Sequence, residues 1–168
     1  MMVRFLPAQV LALCLVLGLA SVPPTRASDD LGFRVYTKAG KFADVRDDLQ
    51  DAIVKRGFVI DYVGHFNQML ERTATAAQSV TKDGSKSPYL EAQYLQFCPS
   101  ELTHAAISAS PFSIANCPVA VFVYELKAEP SKVHVGYRLP VGSPSRLVKQ
   151  VNEKLVGLLH DIAVEVTK

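Results

Sequence analysis

The sequence carries none of the short motifs that announce a reaction. No glycine-rich phosphate loop, no HExxH zinc-protease pair and no serine, histidine and aspartate in a recognisable motif context occur, so no nucleophile stands beside a named base. Closely spaced metal-ligand pairs such as C-x2-C or H-x3-H are missing too, which removes the usual signature of a structural zinc site. Internal repeats and low-complexity tracts are likewise absent. Acidic residues are plentiful but scattered, and sequence alone pairs no two of them as acid and base.

A long hydrophobic run is also lacking. Arg4 precedes an apolar stretch from Phe5 to Val22, but Pro7 and Gln9 interrupt it, and the unbroken part runs only from Val10 to Ala20. That falls well short of the roughly 20 residues that span a bilayer. With Thr25 and Ala27 as small residues ahead of Ser28, the layout reads as a secretory signal peptide over residues 1–27, cut before Ser28. Leu13 stands before Cys14 where a lipoprotein signal needs a small residue, so the expectation is a periplasmic or secreted protein with no stable membrane insertion after cleavage.

Cleavage leaves 141 of the 168 residues, enough for one domain with its own core, residues 28–168. The leader holds Arg4 and Arg26 and no acid, so 16 of the 18 basic residues remain against 16 acidic ones. A balanced chain lacks the excess positive charge that nucleic acid demands, and no nucleic-acid partner is expected.

Of three cysteines, Cys14 leaves with the leader, and Cys98 and Cys117 remain. An exported pair reads first as a disulfide. Closing the separation of 19 residues between them is worth about 3 kcal/mol in the chain-entropy account. His104 lies between them in a C-x5-H-x12-C spacing, a weak metal pattern, and the pair is not the C-x-x-C of thiol exchange. Metal therefore ranks second and redox exchange third, and no metal or cofactor is expected.

Periodicity supplies the elements. "LGFRVYTKAG" reads as a strand ending at Gly40, and "KFADVRDDLQDAIVKRG" places Phe42, Val45, Leu49, Ala52 and Ile53 on one helical stripe, with Gly57 as the stop. "FVIDYV" is a short strand, and "HFNQMLERTATAAQ" a helix opened by His65. The loop "TKDGSKSP" ends that unit. "YLEAQYLQF" is a strand, "SELTHAAISA" a short helix capped by Ser100, and "VAVFVYEL" an apolar strand. In "VHVGYRL", Val133, Val135 and Tyr137 point one way, and His134, Gly136 and Arg138 the other. A long helix over 146–166 has Leu147, Val148, Val151, Leu155, Leu158, Leu159 and Ile162 on one side. The order predicts an α+β domain, a mainly antiparallel sheet with helices packed on one face.

Together, "FRVYTKAGKFADVRDDLQDAIVKRGFVIDYVGHF", the "FC" and "NCP" elements, "VFVYEL" and "VHVGYRL" resemble the exported branch of domain-of-unknown-function family 302 across the whole mature chain. The resemblance implies a TATA-binding-protein-like β-α-β4-α arrangement with added helices and a tendency to form homodimers, for which the large apolar side of residues 147–162 is a second reason. It implies no catalytic set.

Four residues are candidates for binding. His65 sits where a strand meets a helix, His104 lies on the short helix between the cysteines, and His134 and Arg138 share the outward side of one strand. The blander account of each is a capping, packing or solvated surface residue. The leading functional expectation is an exported, non-catalytic module that holds a small molecule or a protein partner in a groove or on the free sheet face. Its rival is a periplasmic redox or metal-binding protein built on Cys98, Cys117 and the nearby histidines His65 and His104.

Overall fold

The computed structural model describes residues 31–76 and 87–168. The leader expected over residues 1–27 and most of the "TKDGSKSP" loop lie outside these described residues. In chain order the elements are β1 (Phe33–Ala39), α1 (Phe42–Val54), β2 (Ile60–His65), α2 (Phe66–Ala76), β3 (Tyr89–Phe97), α3 (Ser100–Ala109), a 3-10 helix (Pro111–Asn116), β4 (Val119–Leu126), β5 (Glu129–Arg138) and α4 (Arg146–Thr167).

The five strands form one sheet in the order β1-β5-β4-β3-β2, and every neighbouring pair is antiparallel. Strands β2 to β5 follow one another across the sheet, while β1 lies outside β5, at the opposite edge from β2. The link from β1 to β2 must therefore travel the width of the sheet. Helix α1 makes that crossing on one face, and α4 returns beside it, packed on α1, β1 and β5. This is the β-α-β4-α order, with α2 added between β2 and β3 and α3 between β3 and β4.

Between the sheet and these two helices lies the core. The strands contribute Leu95, Phe97, Val121, Val123, Val133, Val135 and Tyr137, α1 contributes Val45, Leu49, Ala52 and Ile53, and α4 contributes Leu155, Leu159, Ile162, Ala163 and Val166. The stripe expected on α1 is the one buried. On α4 the stripe begins later and ends later than the spacing implies: Leu147, in the first turn, is 49% exposed, and burial continues to Val166. Because α4 is used against its own sheet, its apolar side carries no argument for a second copy.

Local chemistry sets the helix ends. Gly57 adopts φ +80° just past α1, a conformation open to glycine, and its N–H donates to the Val54 carbonyl at 2.9 Å. Arg56 donates to the Ala52 carbonyl at 2.8 Å and reaches Glu165 of α4 at 2.7 Å. Ser145 caps α4 by accepting from the Val148 N–H. At α3 the expected cap is displaced: Pro99, with φ −68° and an extended ψ of 90°, occupies the cap position, and Ser100 is the first helical residue. His65 likewise ends β2, paired with Gln93, rather than opening α2.

Candidate functional site

Alternation along a strand sends successive side chains to opposite faces. With one face committed to the core, the register fixes what the other displays. There β1 presents Phe33, Val35 and Thr37 against Arg138, Gly136 and His134 of β5. Next to them β4 presents Phe122 and Tyr124, opposite Gly136 and His134 on one side and Tyr94 and Ala92 of β3 on the other. Helix α2 rests on β3 and brings Phe66 and Met69 to the edge of this face. The result is an open cleft of about 670 Å³, walled by Phe33, Phe66, Tyr89, Tyr94, Phe122 and Tyr124.

The rings form a connected series. Phe33 meets Phe122 edge-on at 6.4 Å, Phe122 stacks beside Tyr124 at 6.3 Å, Tyr124 meets Tyr89 edge-on at 5.5 Å, and Tyr89 meets Phe66 edge-on at 5.6 Å. These are the offset and perpendicular geometries that aromatic quadrupoles favour, each pair worth about 0.5–1.5 kcal/mol beyond its buried area. Two glycines set the floor. A Cβ on Gly136 would strike the Phe122 ring and the Arg34 carbonyl, and one on Gly64 would strike the Tyr94 ring. Each ring lies directly over the glycine of the neighbouring strand, an approach that any side chain there would block.

One flank is polar. The His134 ring lies 4.6 Å from Tyr124, nearly parallel at 13°, and its Nδ1 is 3.1 Å from the Thr37 hydroxyl. Its Nε2 is 3.6 Å from Glu129, too far for a hydrogen bond, and is buried without a partner among the described residues. Burial, helped by the nearby Lys132, pushes the His134 pKa below its ordinary value, with Glu129 pulling weakly the other way. Burial, then Tyr89 and Glu129, push the Tyr124 phenol up, so at neutral pH it is a protonated donor. Glu129 itself is held below the usual carboxylate range by its hydrogen bond to Lys132.

Of the four candidate residues, the structure brings His134 and Arg138 onto the cleft face and separates them from the other two. Arg138 lines the cleft; His134 supports Tyr124 from the side. His65, paired with Gln93, is exposed at the β2 edge, and His104 is exposed on α3. No group of three or more histidine, cysteine, aspartate or glutamate side chains able to hold a metal occurs among the described residues. Cys98 and Cys117 are joined as a disulfide, their Cα atoms 5.9 Å apart. The bond sits where β3 ends and β4 begins, next to the last ladder pair Phe97–Val119, and closes the excursion that carries α3.

Histidine number four, His160, was no sequence candidate. Its Nδ1 lies 2.7 Å from the Tyr36 hydroxyl, and Tyr36 stacks on Tyr137. Burial and a hydrogen bond with Tyr36 push the Tyr137 phenol well above its ordinary value. This chain of groups ties β1 and β5 to α4 on the helix side, away from the cleft. Chemistry-bearing residue types in the sequence do not point to the aromatic wall. Its signal was present in "VAVFVYEL", where Val119, Val121 and Val123 alternate with Phe122 and Tyr124.

No family model matches the sequence, and no curated protein does. Among solved structures the chain is similar to the crystal structure of an uncharacterized conserved protein, DUF302, from Bacillus stearothermophilus, with a TM-score of 0.54 and 14% identity over 81% of this chain and 93% of that one. Likeness at that identity speaks for architecture, and in architecture the chain has a DUF302-like fold.

Proposed function

We propose that the chain is an exported, non-catalytic binding module that holds a small, largely apolar molecule in the cleft on the open face of its sheet. One observation carries this reading: a connected wall of aromatic rings stands on the sheet face that the core leaves free, while the opposite face already supplies a complete core. About 670 Å³ falls within the range of roughly 300–1,000 Å³ typical of small-molecule sites. Flat rings offer broad contact at little entropic cost, because each has only two rotatable bonds to fix.

The rival redox or metal reading loses its two thiols to the disulfide, and its histidines stand apart from one another. Export is supported by the leader pattern and by that same bond, which persists in oxidising compartments. Amino-terminal sequencing of protein from an exporting host should begin at Ser28; recovery of intact Met1 in a membrane fraction would contradict it.

Binding is tested with N-phenyl-1-naphthylamine, a neutral aromatic probe whose emission rises on leaving water. Saturable one-to-one binding that weakens at least about tenfold in Phe122→Ala and in Tyr124→Ala is the expected result. A probe that does not saturate, or that binds all three proteins alike, removes the cleft as the site.

A further inference from the structure

The cleft is lined by rings, aliphatic side chains and two glutamines, and carries formal charge at one point. Among the described residues lining it, Arg138 is the single charged one. It stands at the end of β5, directly opposite Phe33 in the register, and is exposed. No ion pair joins it to any carboxylate of the described residues, whereas Arg56, on the helix side, is held by Glu165. A solvated surface arginine is ordinary; one at the rim of a ring-lined wall is placed differently. The wall excludes water on one side of the guanidinium, which strengthens its attraction for an anion held against the rings. Among the described residues no aspartate or glutamate lines the cleft, so a cationic ligand would find ring faces but no countercharge, and Arg138 would oppose it.

Resting on the cleft reading above, we infer that the site selects planar aromatic carboxylates, whose ring system lies on Phe122 and Tyr124 while the carboxylate is bound by Arg138. The guanidinium presents its N–H donors as a rigid fork that matches the two oxygens of a carboxylate, a geometry an ammonium does not reproduce. Phe122 lies flat because Gly136 lacks a Cβ. Arg138, two residues further along the same side of β5, faces the same space. The ring of β4 rests over Gly136, and Arg138 leaves β5 two residues further on, so ring and cation stand side by side and the ligand must span them with its acid group at one end.

Three ligands of one shape and different charge test this: 2-naphthoate, 2-naphthamide and 2-naphthylmethylamine, titrated by calorimetry into the whole mature protein. The expected order is naphthoate tighter than naphthamide by about tenfold, with the amine weakest. In Arg138→Gln the naphthoate advantage should vanish while naphthamide binds as before, and Arg138→Lys should restore only part of it. Added salt should weaken naphthoate alone. Equal affinity for naphthoate and naphthamide in the wild-type protein, or a preference that survives Arg138→Gln, overturns the inference and leaves the cleft reading standing. If none of the three binds and N-phenyl-1-naphthylamine does not bind either, the cleft reading itself falls and takes this one with it.

Discussion

The two faces of this sheet are made from the same five strands and do opposite things with them. On the helix side the strands send down Val121, Val123, Val133 and Val135, together with Leu95 and Phe97, and α1 and α4 remove them from water. On the open side the alternate positions carry rings that touch one another at their edges and remain half-exposed. β-Branched residues fix strand conformation and fill a core without polar atoms. Aromatic residues keep a broad contact surface available even when no layer covers them. The difference separates what stabilises the domain from what is free to bind.

The sharpest way to break that division is to delete one ring from each face. Phe97→Ala should cost about 3–5 kcal/mol, the usual range for emptying a buried aromatic site, read from denaturant midpoints at constant slope. Phe122→Ala should cost only about 1–2 kcal/mol, because its ring is half-exposed, and should instead lose probe binding. Equal costs for the two variants would dissolve the distinction.

Next in size is the bond between the faces' shared strands. Replacing Cys98 and Cys117 together with serine should lower stability by about 3 kcal/mol through the freed 19-residue separation and leave cleft affinity unchanged, since neither sulfur reaches the rings. Two reactive thiols in protein purified without reductant would show that the bond does not form.

Smaller effects follow at the two glycines beneath the rings. Gly136→Ala should cost about 1–3 kcal/mol, because the added methyl meets the Arg34 carbonyl as well as Phe122, and a backbone atom held in a ladder cannot step aside. Gly64→Ala should cost less than Gly136→Ala, since only the Tyr94 side chain needs to turn. The reverse order, measured by thermal melts, would mean that the ring is the firmer of the two obstacles.

Least in size and easiest to isolate is a pH effect at the flank. The unfolded chain protonates His134 near the ordinary value of 6.5, the folded chain only below it. Stability from this ring is therefore complete above pH 6.5, declines as pH falls through that value, and levels off below the folded pKa. In His134→Gln, which keeps a polar partner for Thr37, this part of the slope should disappear. The groups around the ring, Thr37, Tyr124, Glu129 and Lys132, all remain in that variant, so an unchanged slope would assign the effect elsewhere.

Local pattern carried most of the architecture. The stripe from Val45 to Ile53 and the stop at Gly57 need only neighbours within a few turns, and the two-sided reading of "VHVGYRL" put Val133, Val135 and Tyr137 on the core side, where they are buried. The site was less legible because it is made by register. Phe33 meets Phe122 only because β1 pairs outside β5, and no window along the chain contains both. His134 looked like a surface residue and is buried because Tyr124 lies opposite it. His65 and His104 drew notice for their chemistry, yet the sheet edge and an exposed helix are where the fold puts them. Ser100 resembled a cap but follows Pro99, which had already turned the chain.

The bare floor beneath Phe122 and Tyr94 has a consequence for descent with modification. A ring resting on glycine packs on backbone and on neighbouring rings of the open face, not on the core, so exchanging it for another flat or narrow side chain leaves the buried layer as it was. A lineage built on this scaffold can change its chemical tastes one surface residue at a time, each intermediate still folded, and the two glycines are the positions where that freedom stops.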